Sequence, residues 1–399
     1  MAFIKIPTKG MRDLGPRDML LREYVLGVMK DTYQDYGFEL IETPCVEHIE
    51  NLTNKVGGDN EKLIYKVLKR GEKLDFDNAS KVDDLVDSGL RYDLTVPLTR
   101  FYANSMNELQ SPFRSFQTGR VWRADRPQKG RYREFVQCDL DIFGEKTNLA
   151  EIELMSAVIT FLKKLNFEGF QIRINDRRIL KKMVLFCGFL ESDADSILIS
   201  LDKLDKIGMD GVYDELIRHG YEMDKVNKFL GFFCENLSLE EFCLQFQMDE
   251  DVVKNLREIM NYTKEVTGAS LFFDPTLVRG MGYYTGPIFE IMVSDYASSI
   301  GGGGRYDEMV SKYANVSVPA CGFSVGFERL IMLLEERGFE VPLTKKRVAI
   351  VIQEKNTDVF LKARSMRDEN MIVKVVYRSK NYKHQKEVLE ANGYHILEM

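Results

Sequence analysis

The sequence predicts an α+β fold with a helical insertion and a small C-terminal α/β domain. Short runs rich in β-branched and aromatic residues, separated by turn residues, recur through residues 1–177 and return in residues 267–337. Residues 178–266 instead carry apolar side chains at helical spacing. Residues 345–399 alternate strand and helix patterns, and this alternation indicates a mainly parallel sheet.

The composition limits the class of protein. The 399 residues are 44% apolar and 29% charged, as in an ordinary soluble globular chain. Six scattered cysteines form no CxxC pair, so we expect neither a zinc knuckle nor a disulfide framework, and we expect a reducing, cytoplasmic location. The N-terminus lacks an apolar signal segment and no apolar run is long enough for a membrane span, so neither targeting nor anchoring is expected.

The charge is unevenly distributed along the chain. The net charge is −7, yet residues 345–399 hold 12 basic and 7 acidic side chains, which leaves −12 for residues 1–344. The basic tail is therefore the part expected to meet phosphate. An ordinary solvated surface is the alternative interpretation of the same balance.

The first predicted element is a helix over residues 16–37, which starts near Pro16 and stops at Gly37. An extended run in FELIETPCVEH follows it and ends at Pro44, and a strand with a glycine turn is predicted over residues 62–74.

The segment SGLRYDLTVPLTRFYANS carries a candidate binding pair. Asp93 and Thr95 share a face if this segment is extended, and together they offer two acceptors to an ammonium group. A role in a turn or a helix cap is the alternative for both residues.

The stretch from Gly119 to Gly144 is the most informative part of the chain. It reads as two β-runs joined by a loop, and five arginines lie between Arg120 and Arg133. Alternation in the second run turns one mostly polar set of side chains to the same side: Phe135, Gln137, Asp139 and Asp141. Such a strand beside a cationic loop is expected to form the floor of a site that binds an anion and a cationic partner. A solvated hairpin on an antiparallel sheet is the alternative.

The remaining elements follow in order. A helix is predicted over residues 149–165, and helices fill the block from about residue 178 to residue 266. The block holds no catalytic constellation. The string LVRGMGYYTGPIFEIMV returns to strand character, and the four glycines of GGGGRYDEMV permit close backbone approach to a ligand. They do not predict a phosphate-binding P-loop, because no helix opening with Lys-Ser or Lys-Thr follows.

Five strings together carry a family resemblance. RVWRADRPQKGRYREFVQCDLDIFG closely resembles motif 2 of the histidyl-tRNA synthetases, which are class II aminoacyl-tRNA synthetases. Four further strings occur in the order that the family has: RYDLTVPLTRF, LVRGMGYYTG, GGGGRYDEMV and GFSVGFERL. The last of these resembles motif 3. The resemblance implies a class II catalytic core, in which an antiparallel sheet is flanked by helices, formed by residues 1–177 and 267–337. It also implies an insertion domain at 178–266 and a shortened anticodon-binding-like domain at 345–399. The predicted helix at 16–37 and the run after it resemble motif 1, so a homodimer is expected.

The resemblance also implies a reaction and a set of site residues. L-histidine would be activated by ATP, with Mg²⁺ on the phosphates, and transferred to tRNA(His). The implied catalytic residues are Arg123, Arg279, Arg329 and Gln137. The implied ATP contacts are Arg123, Asp125, Arg131, Phe135, Arg279 and Arg329. The implied histidine contacts are Asp93, Thr95, Gln137, Asp141, Tyr283, Tyr284, Gly302, Gly304 and Tyr306. None of these is implied as a metal ligand.

The implied chemistry suits these residue types. Joining a carboxylate to the α-phosphate of ATP brings anions together, so the site needs fixed cations more than it needs an acid or a base. Arginine is always charged and binds phosphate through two N–H groups. A carboxylate such as Asp141 accepts from an imidazole N–H and would be left unpaired by an apolar side chain.

Two departures from the family keep alternatives open. Gly282 stands where the family has an aspartate, and the family's anticodon domain usually runs on for another strand and helix. A regulatory subunit of ATP phosphoribosyltransferase, which binds histidine as an allosteric signal and lacks that domain, is the main alternative. Such paralogues typically lose the arginines and the glutamine that this chain retains. A stand-alone histidine-binding or protein-modifying module is a third interpretation.

Overall fold

The structure, a computed structural model, describes residues 3–56, 58–234, 237–279, 283–294, 296–314, 316–342 and 345–399. The chain divides into two compact units, Met1–Gly338 and Phe339–Met399. The strands are β1 (Glu39–Leu40), β2 (Val46–His48), β3 (Lys66–Leu68), β4 (Val86–Leu90), β5 (Phe113–Trp122), β6 (Glu134–Phe143), β7 (Phe170–Asp176), β8 (Leu271–Phe273), β9 (Pro287–Val293), β10 (Tyr296–Arg305), β11 (Ala320–Val325), β12 (Arg347–Ile352), β13 (Ile372–Tyr377) and β14 (Tyr394–Glu398). The α-helices are α1 (Pro16–Asp35), α2 (Ile49–Val56), α3 (Thr95–Ser105), α4 (Leu149–Lys164), α5 (Arg177–Phe186), α6 (Ala194–Leu201), α7 (Leu204–Arg218), α8 (Met223–Gly231), α9 (Leu239–Leu244), α10 (Glu250–Thr267), α11 (Phe327–Glu336), α12 (Thr357–Asp368) and α13 (Tyr382–Ala391).

The first unit is built on one large sheet with the strand order β1-β5-β6-β11-β10-β9-β7-β8. Its neighbouring strands run antiparallel except at the edges, where β1 pairs with β5 and β8 with β7 in parallel. Helices α4 and α11 pack against β6, and α1 packs against α4. This arrangement confirms the predicted α+β fold with a flanked antiparallel sheet. A smaller sheet, β2-β4-β3, lies under α2.

The block predicted to be helical consists of α5 to α10 among the residues that the structure describes. Aromatic rings pack in its interior; for example, the Phe242 and Phe246 centroids are 5.4 Å apart and meet edge to face. The long helix α10 packs against α4 and against β7 and β8. The block is therefore attached to the outer end of the large sheet.

Three local predictions differ from the structure. The strand predicted over residues 62–74 is limited to β3, Lys66–Leu68. Of the run predicted to end at Pro44, only Glu39–Leu40 forms a strand, β1, and β2 follows Pro44 in a different sheet. The segment carrying Asp93 and Thr95 is not extended, because α3 begins at Thr95. The Asp93 carboxylate accepts from the Val96 backbone N–H at 2.9 Å and so satisfies a donor that the helix start leaves free.

The second unit is a three-stranded parallel sheet in the order β13-β12-β14, as the alternation predicts. Helix α12 packs on β13 and α13 packs on β14. Strand β12 is buried on both sides: Ile350 belongs to one apolar cluster and Val351 to another. Nowhere in the described ranges is a helix both long enough and apolar enough to cross a membrane.

Candidate active site

The main cavity lies on one face of the large sheet and has a volume of about 510 Å³. One row of residues, paired from strand to strand, crosses its floor. Backbone register pairs Asp139 with Ser324, Ser324 with Gly302, Gly302 with Glu290, and Glu290 with Arg173. We call these five residues the polar row. The first four line the cavity, whereas Arg173 lies beyond its wall.

The structure brings the predicted site residues together in this cavity. The lining contains every one of them except Gly304, that is, Asp93, Thr95, Arg123, Asp125, Arg131, Phe135, Gln137, Asp141, Arg279, Tyr283, Tyr284, Gly302, Tyr306 and Arg329. Gly304 lies in β10 outside the lining. A Cβ there would come within 2.4 Å of the Pro287 carbonyl oxygen, so the close approach of strand β9 accounts for glycine at this position. Gly282 falls outside the described residues.

One end of the cavity is acidic. Asp93, Asp139 and Asp141 are all buried there. Burial raises the pKa of Asp139 to about 7, although a hydrogen bond from Ser324 opposes the shift. Burial, followed by the charge of Asp139, raises the pKa of Asp141 well above its ordinary value. We call these three residues the acid cluster.

The acid cluster retains acceptors that no protein group satisfies. Within the described chain, Asp139 Oδ1, Asp141 Oδ2 and Gln137 Oε1 are buried without a hydrogen-bond partner. The other Asp141 oxygen accepts from the Tyr306 hydroxyl. Buried acceptors without partners are costly, so this end of the cavity is suited to a ligand that carries N–H groups and positive charge.

Aromatic rings border the acid cluster. The Tyr283 and Tyr284 centroids are 4.7 Å apart, and the Tyr283 centroid lies 6.0 Å from that of Tyr306. Tyr284 and Tyr306 are buried. Their rings give this end of the cavity flat apolar walls beside its acceptors, as a planar ring with N–H groups requires.

Arg123 is held between rings at the other side of Gln137. Its guanidinium carbon lies 4.3 Å from the Tyr92 ring centroid and 5.2 Å from that of Phe135. Its Nε donates to the Tyr92 carbonyl at 3.1 Å. The structure describes no carboxylate paired with Arg123, so its remaining N–H groups are available to an anion in the cavity.

Arg279 lies over the middle of the polar row. It adopts a φ of 58°, a conformation that non-glycine residues rarely adopt. Its Nη1 donates to Glu290 at 3.2 Å. A Cβ on Gly302 would lie 1.9 Å from that nitrogen, so only glycine at position 302 leaves space for the guanidinium.

Arg329 and Arg131 complete a cationic end. Arg329, in the first turn of α11, donates to the Ser299 carbonyl at 2.5 Å. Burial, together with the nearby charges of Arg131 and Arg279, lowers the pKa of Arg329 from its ordinary value. Arg131 forms a two-point ion pair with Asp125, at 2.8 and 3.1 Å, that fixes the loop between β5 and β6.

The residue before Arg329 fixes the start of α11. Glu328 accepts from Arg22 of α1 at 2.7 and 2.8 Å, from the Val136 backbone N–H at 3.2 Å, and from Arg12. These contacts keep the pKa of Glu328 below its ordinary value despite burial. The helix that carries Arg329 is thus tied to α1, to β6 and to the N-terminal segment.

The sequence assigned no ligand contact to Asp139, Tyr92 or Glu290, which all line the cavity. Asp139 stood on the polar face predicted for β6, and the period of two between Gln137 and Asp141 is the signal that identifies it. Tyr92 stood beside Asp93 in a matched motif. Glu290 had no local signal, because its partner Arg173 lies 117 residues away.

No group of three or more metal-binding side chains occurs within the described residues. The cavity does contain single carboxylates near its arginines, such as Glu290. A phosphate-bound Mg²⁺ usually takes one or two carboxylates and keeps waters, so this donor set fits Mg²⁺ that is held mainly by a nucleotide.

Known proteins resemble this chain over nearly all of its length. A family model described as histidyl-tRNA synthetase matches residues 10–330. A "Histidine--tRNA ligase" from Leifsonia xyli subsp. xyli (strain CTCB07) is 46% identical over 351 residues, which are 84% of this chain and 81% of the relative. The crystal structure of histidyl-tRNA synthetase from Nostoc sp. PCC 7120 has a TM-score of 0.80 at 25% identity and covers 98% of this chain and 90% of its own. A Bacillus halodurans C protein, described as an ATP phosphoribosyltransferase regulatory subunit/histidyl-tRNA synthetase, shares the fold with a TM-score of 0.80 at 20% identity, over 100% of this chain and 99% of its own.

Proposed function

This chain belongs to the histidyl-tRNA synthetase family, and we propose on that premise that it activates L-histidine with ATP and transfers the histidine to tRNA(His). The observation that carries the proposal is the division of one cavity into two ends of opposite charge. Buried acceptors without partners lie at one end, and arginines without full pairing lie at the other. Histidine presents N–H groups and an ammonium, whereas ATP presents phosphates, so the two substrates match the two ends.

The acid cluster would hold histidine. Asp141 Oδ2 is the acceptor for an imidazole N–H, since its other oxygen already accepts from Tyr306. Gln137, Asp93 and Thr95 would surround the α-ammonium. An amino acid without an N–H in this position would leave Asp141 buried and unpaired, and such a mismatch is penalised strongly.

The arginines would act on the phosphates. As the histidine carboxylate attacks the α-phosphorus, negative charge grows on that phosphate and on the departing pyrophosphate. We assign Arg123 and Arg279 to the α-phosphate and Arg329 to the distal phosphates. Each guanidinium is already oriented by a ring, a carboxylate or a carbonyl, so little reorganisation is needed when charge develops. Phe135 would lie against the adenine, and the Asp125–Arg131 pair would hold the loop between β5 and β6 in place beside the nucleotide.

Mg²⁺ is proposed as a partner of ATP. When bound, it would neutralise phosphate charge and align the leaving pyrophosphate. Phosphate oxygens and water would supply most of its ligands, with one or two cavity carboxylates as the others.

The other assignments follow the family. We propose that α5 to α10 form the insertion domain, that residues 345–399 form a shortened anticodon-binding domain, and that the chain works as a homodimer in the cytoplasm. All six cysteines are free, which suits a reducing compartment. The basic balance of the tail suits contact with tRNA phosphates.

The regulatory-subunit reading makes a different prediction for the same cavity. A subunit that only senses histidine needs the acid cluster but has no use for arginines aimed at phosphate. The retained Arg123, Arg279 and Arg329 therefore favour the synthetase.

ATP–pyrophosphate exchange, measured with each of the amino acids in turn, tests the proposal. Histidine alone should support exchange, and tRNA(His) should then be charged. The matched variant Arg279→Ala should still bind histidine by calorimetry but should lose exchange, because its cation acts mainly where charge develops. A folded wild-type protein that binds histidine without any exchange would instead be a regulatory subunit.

A further inference from the structure

Arg173 is the member of the polar row that does not line the cavity. It lies on β7 directly opposite Glu290 of β9, in backbone register. Its Nη2 donates to Glu290, and its Nη1 donates to Asp274 at 2.9 Å. A third carboxylate, Asp205 of α7 in the helical block, lies 3.5 Å from Nη2. Arg173 thus anchors Glu290 from outside the cavity.

Glu290 is shared between two arginines. One of its oxygens accepts from Arg173 and the other accepts from Arg279 at 3.2 Å. Its side chain is only 14% exposed, so its charge is poorly screened by water. A carboxylate in this position strongly attracts nearby cations, and the ion pair with Arg173 neutralises much of its charge.

We propose that Arg173 is a positioning residue for adenylation: by holding and neutralising Glu290, it keeps the Arg279 guanidinium over Gly302 and directed at the cavity. Without Arg173, both Glu290 oxygens would turn to the nearest remaining cation, which is Arg279. A two-point pair between these residues would draw the guanidinium away from the α-phosphate. This inference rests on the proposed function, because the role of Arg279 does.

The geometry also gives the helical block a part in the site. Asp205 belongs to α7 and Asp274 follows β8, so the carboxylates that orient Arg173 come from segments beyond the sheet face that carries the cavity. The order of charges from the cavity outward is positive at Arg279, negative at Glu290, positive at Arg173 and negative at these two residues. Each charged side chain holds the next one in position. A substitution at Arg173 should therefore shift the Arg279 guanidinium, although Arg173 contacts no substrate.

The test is steady-state ATP–pyrophosphate exchange on the full chain with the variants Arg173→Gln, Glu290→Gln and the double variant. Arg173→Gln should lower kcat by about ten- to a hundredfold, with the KM for histidine within about twofold of the wild-type value. The double variant should recover part of that loss, because removing the Glu290 charge removes the pull on Arg279. If Arg173 were only structural, the losses in kcat of the two single variants would combine in the double variant. Partial recovery of kcat in the double variant is the result expected for a positioning role.

Two further variants test whether the loss of kcat is specific to the contacts of Arg173. Arg178→Gln removes a neighbouring ion pair, with Asp176, that does not reach Glu290, and it should leave kcat unchanged. If Arg173→Gln does not fold, Arg173→Lys keeps the charge but cannot donate to Glu290 and Asp274 through one planar group, and kcat should fall by about three- to tenfold.

The failures of the two proposals can be told apart. Absence of exchange in the folded wild-type protein would refute the proposed function itself. Normal kcat in the folded arginine variants, or a double variant as slow as the product of the single losses, would refute the role of Arg173 while leaving the function intact.

Discussion

The substitution Gly302→Ala should disable adenylation by moving one guanidinium. The added Cβ would lie 1.9 Å from Nη1 and 2.3 Å from Cζ of Arg279. Nonbonded heavy atoms of this kind settle about 3.5 Å apart, so the guanidinium has to withdraw by about 1.5 Å. A misplacement of about 1 Å at a reacting centre costs about a hundredfold in rate, which corresponds to about 2.7 kcal/mol. We expect at least that loss in kcat.

Pyrophosphate exchange with varied histidine is the assay for this variant. The KM for histidine should stay within about twofold of the wild-type value, because Asp139 and Asp141 lie on β6 and strand β11 separates them from Gly302 on β10. Gly301→Ala is the matched control: its Cβ would point instead toward the Phe323 ring, at 2.8 Å, and so reports the cost of adding a side chain to the same strand. An equal loss of kcat in both variants, or a folded Gly302→Ala protein at nearly wild-type rate, would refute the argument.

Three further outcomes are expected. Because the pKa of Asp139 is raised to about 7 in the folded protein, the folded state holds a proton that the unfolded chain releases, and stability falls as pH rises from about 4 to about 7. Asp139→Asn should therefore gain in urea midpoint over the wild type between pH 5 and pH 8, and a constant difference would contradict this. Glu151→Ala should cost about 3 to 5 kcal/mol in denaturant unfolding, because it leaves Arg305 buried without its two-point partner at 2.6 and 2.7 Å; the surface-pair control Glu153→Ala should cost about 1 kcal/mol or less. A chain ending at Gly338 should keep histidine-dependent exchange, since the cavity lining ends before that residue, and should charge tRNA more weakly with a shallower salt dependence; joint loss of exchange and melting temperature would assign the tail to stability.

Periodic elements were predictable from the sequence, and the reason is local. The alternation in β6 places Gln137, Asp139 and Asp141 on one face because side chains in a strand repeat every two residues. Helix α4 was predicted over residues 149–165 and spans Leu149–Lys164, since its apolar positions follow one side of a helix. In these segments one pattern identifies both the element and the buried face.

Other features either had two local interpretations or depended on partners far away in the chain. The segment at Thr95 begins a helix because Asp93 caps it, an alternative that the sequence left open. The role of Glu290 depends on its contact with Arg173, 117 residues away, and on its contact with Arg279. No spacing rule relates these residues, because register between strands that are distant in sequence is set by the assembled sheet.

The hydrogen bonds of Glu328 affect how natural variants of this protein should be interpreted. Arg22 lies in α1, 306 residues before Glu328, and it is absent from the cavity lining. A survey that scored variants by distance to substrate would pass over it. Yet its loss would remove two of the hydrogen bonds that hold the first turn of α11, and the next residue in that turn is Arg329. A change at Arg22 should therefore be classed with changes in the ATP end of the cavity.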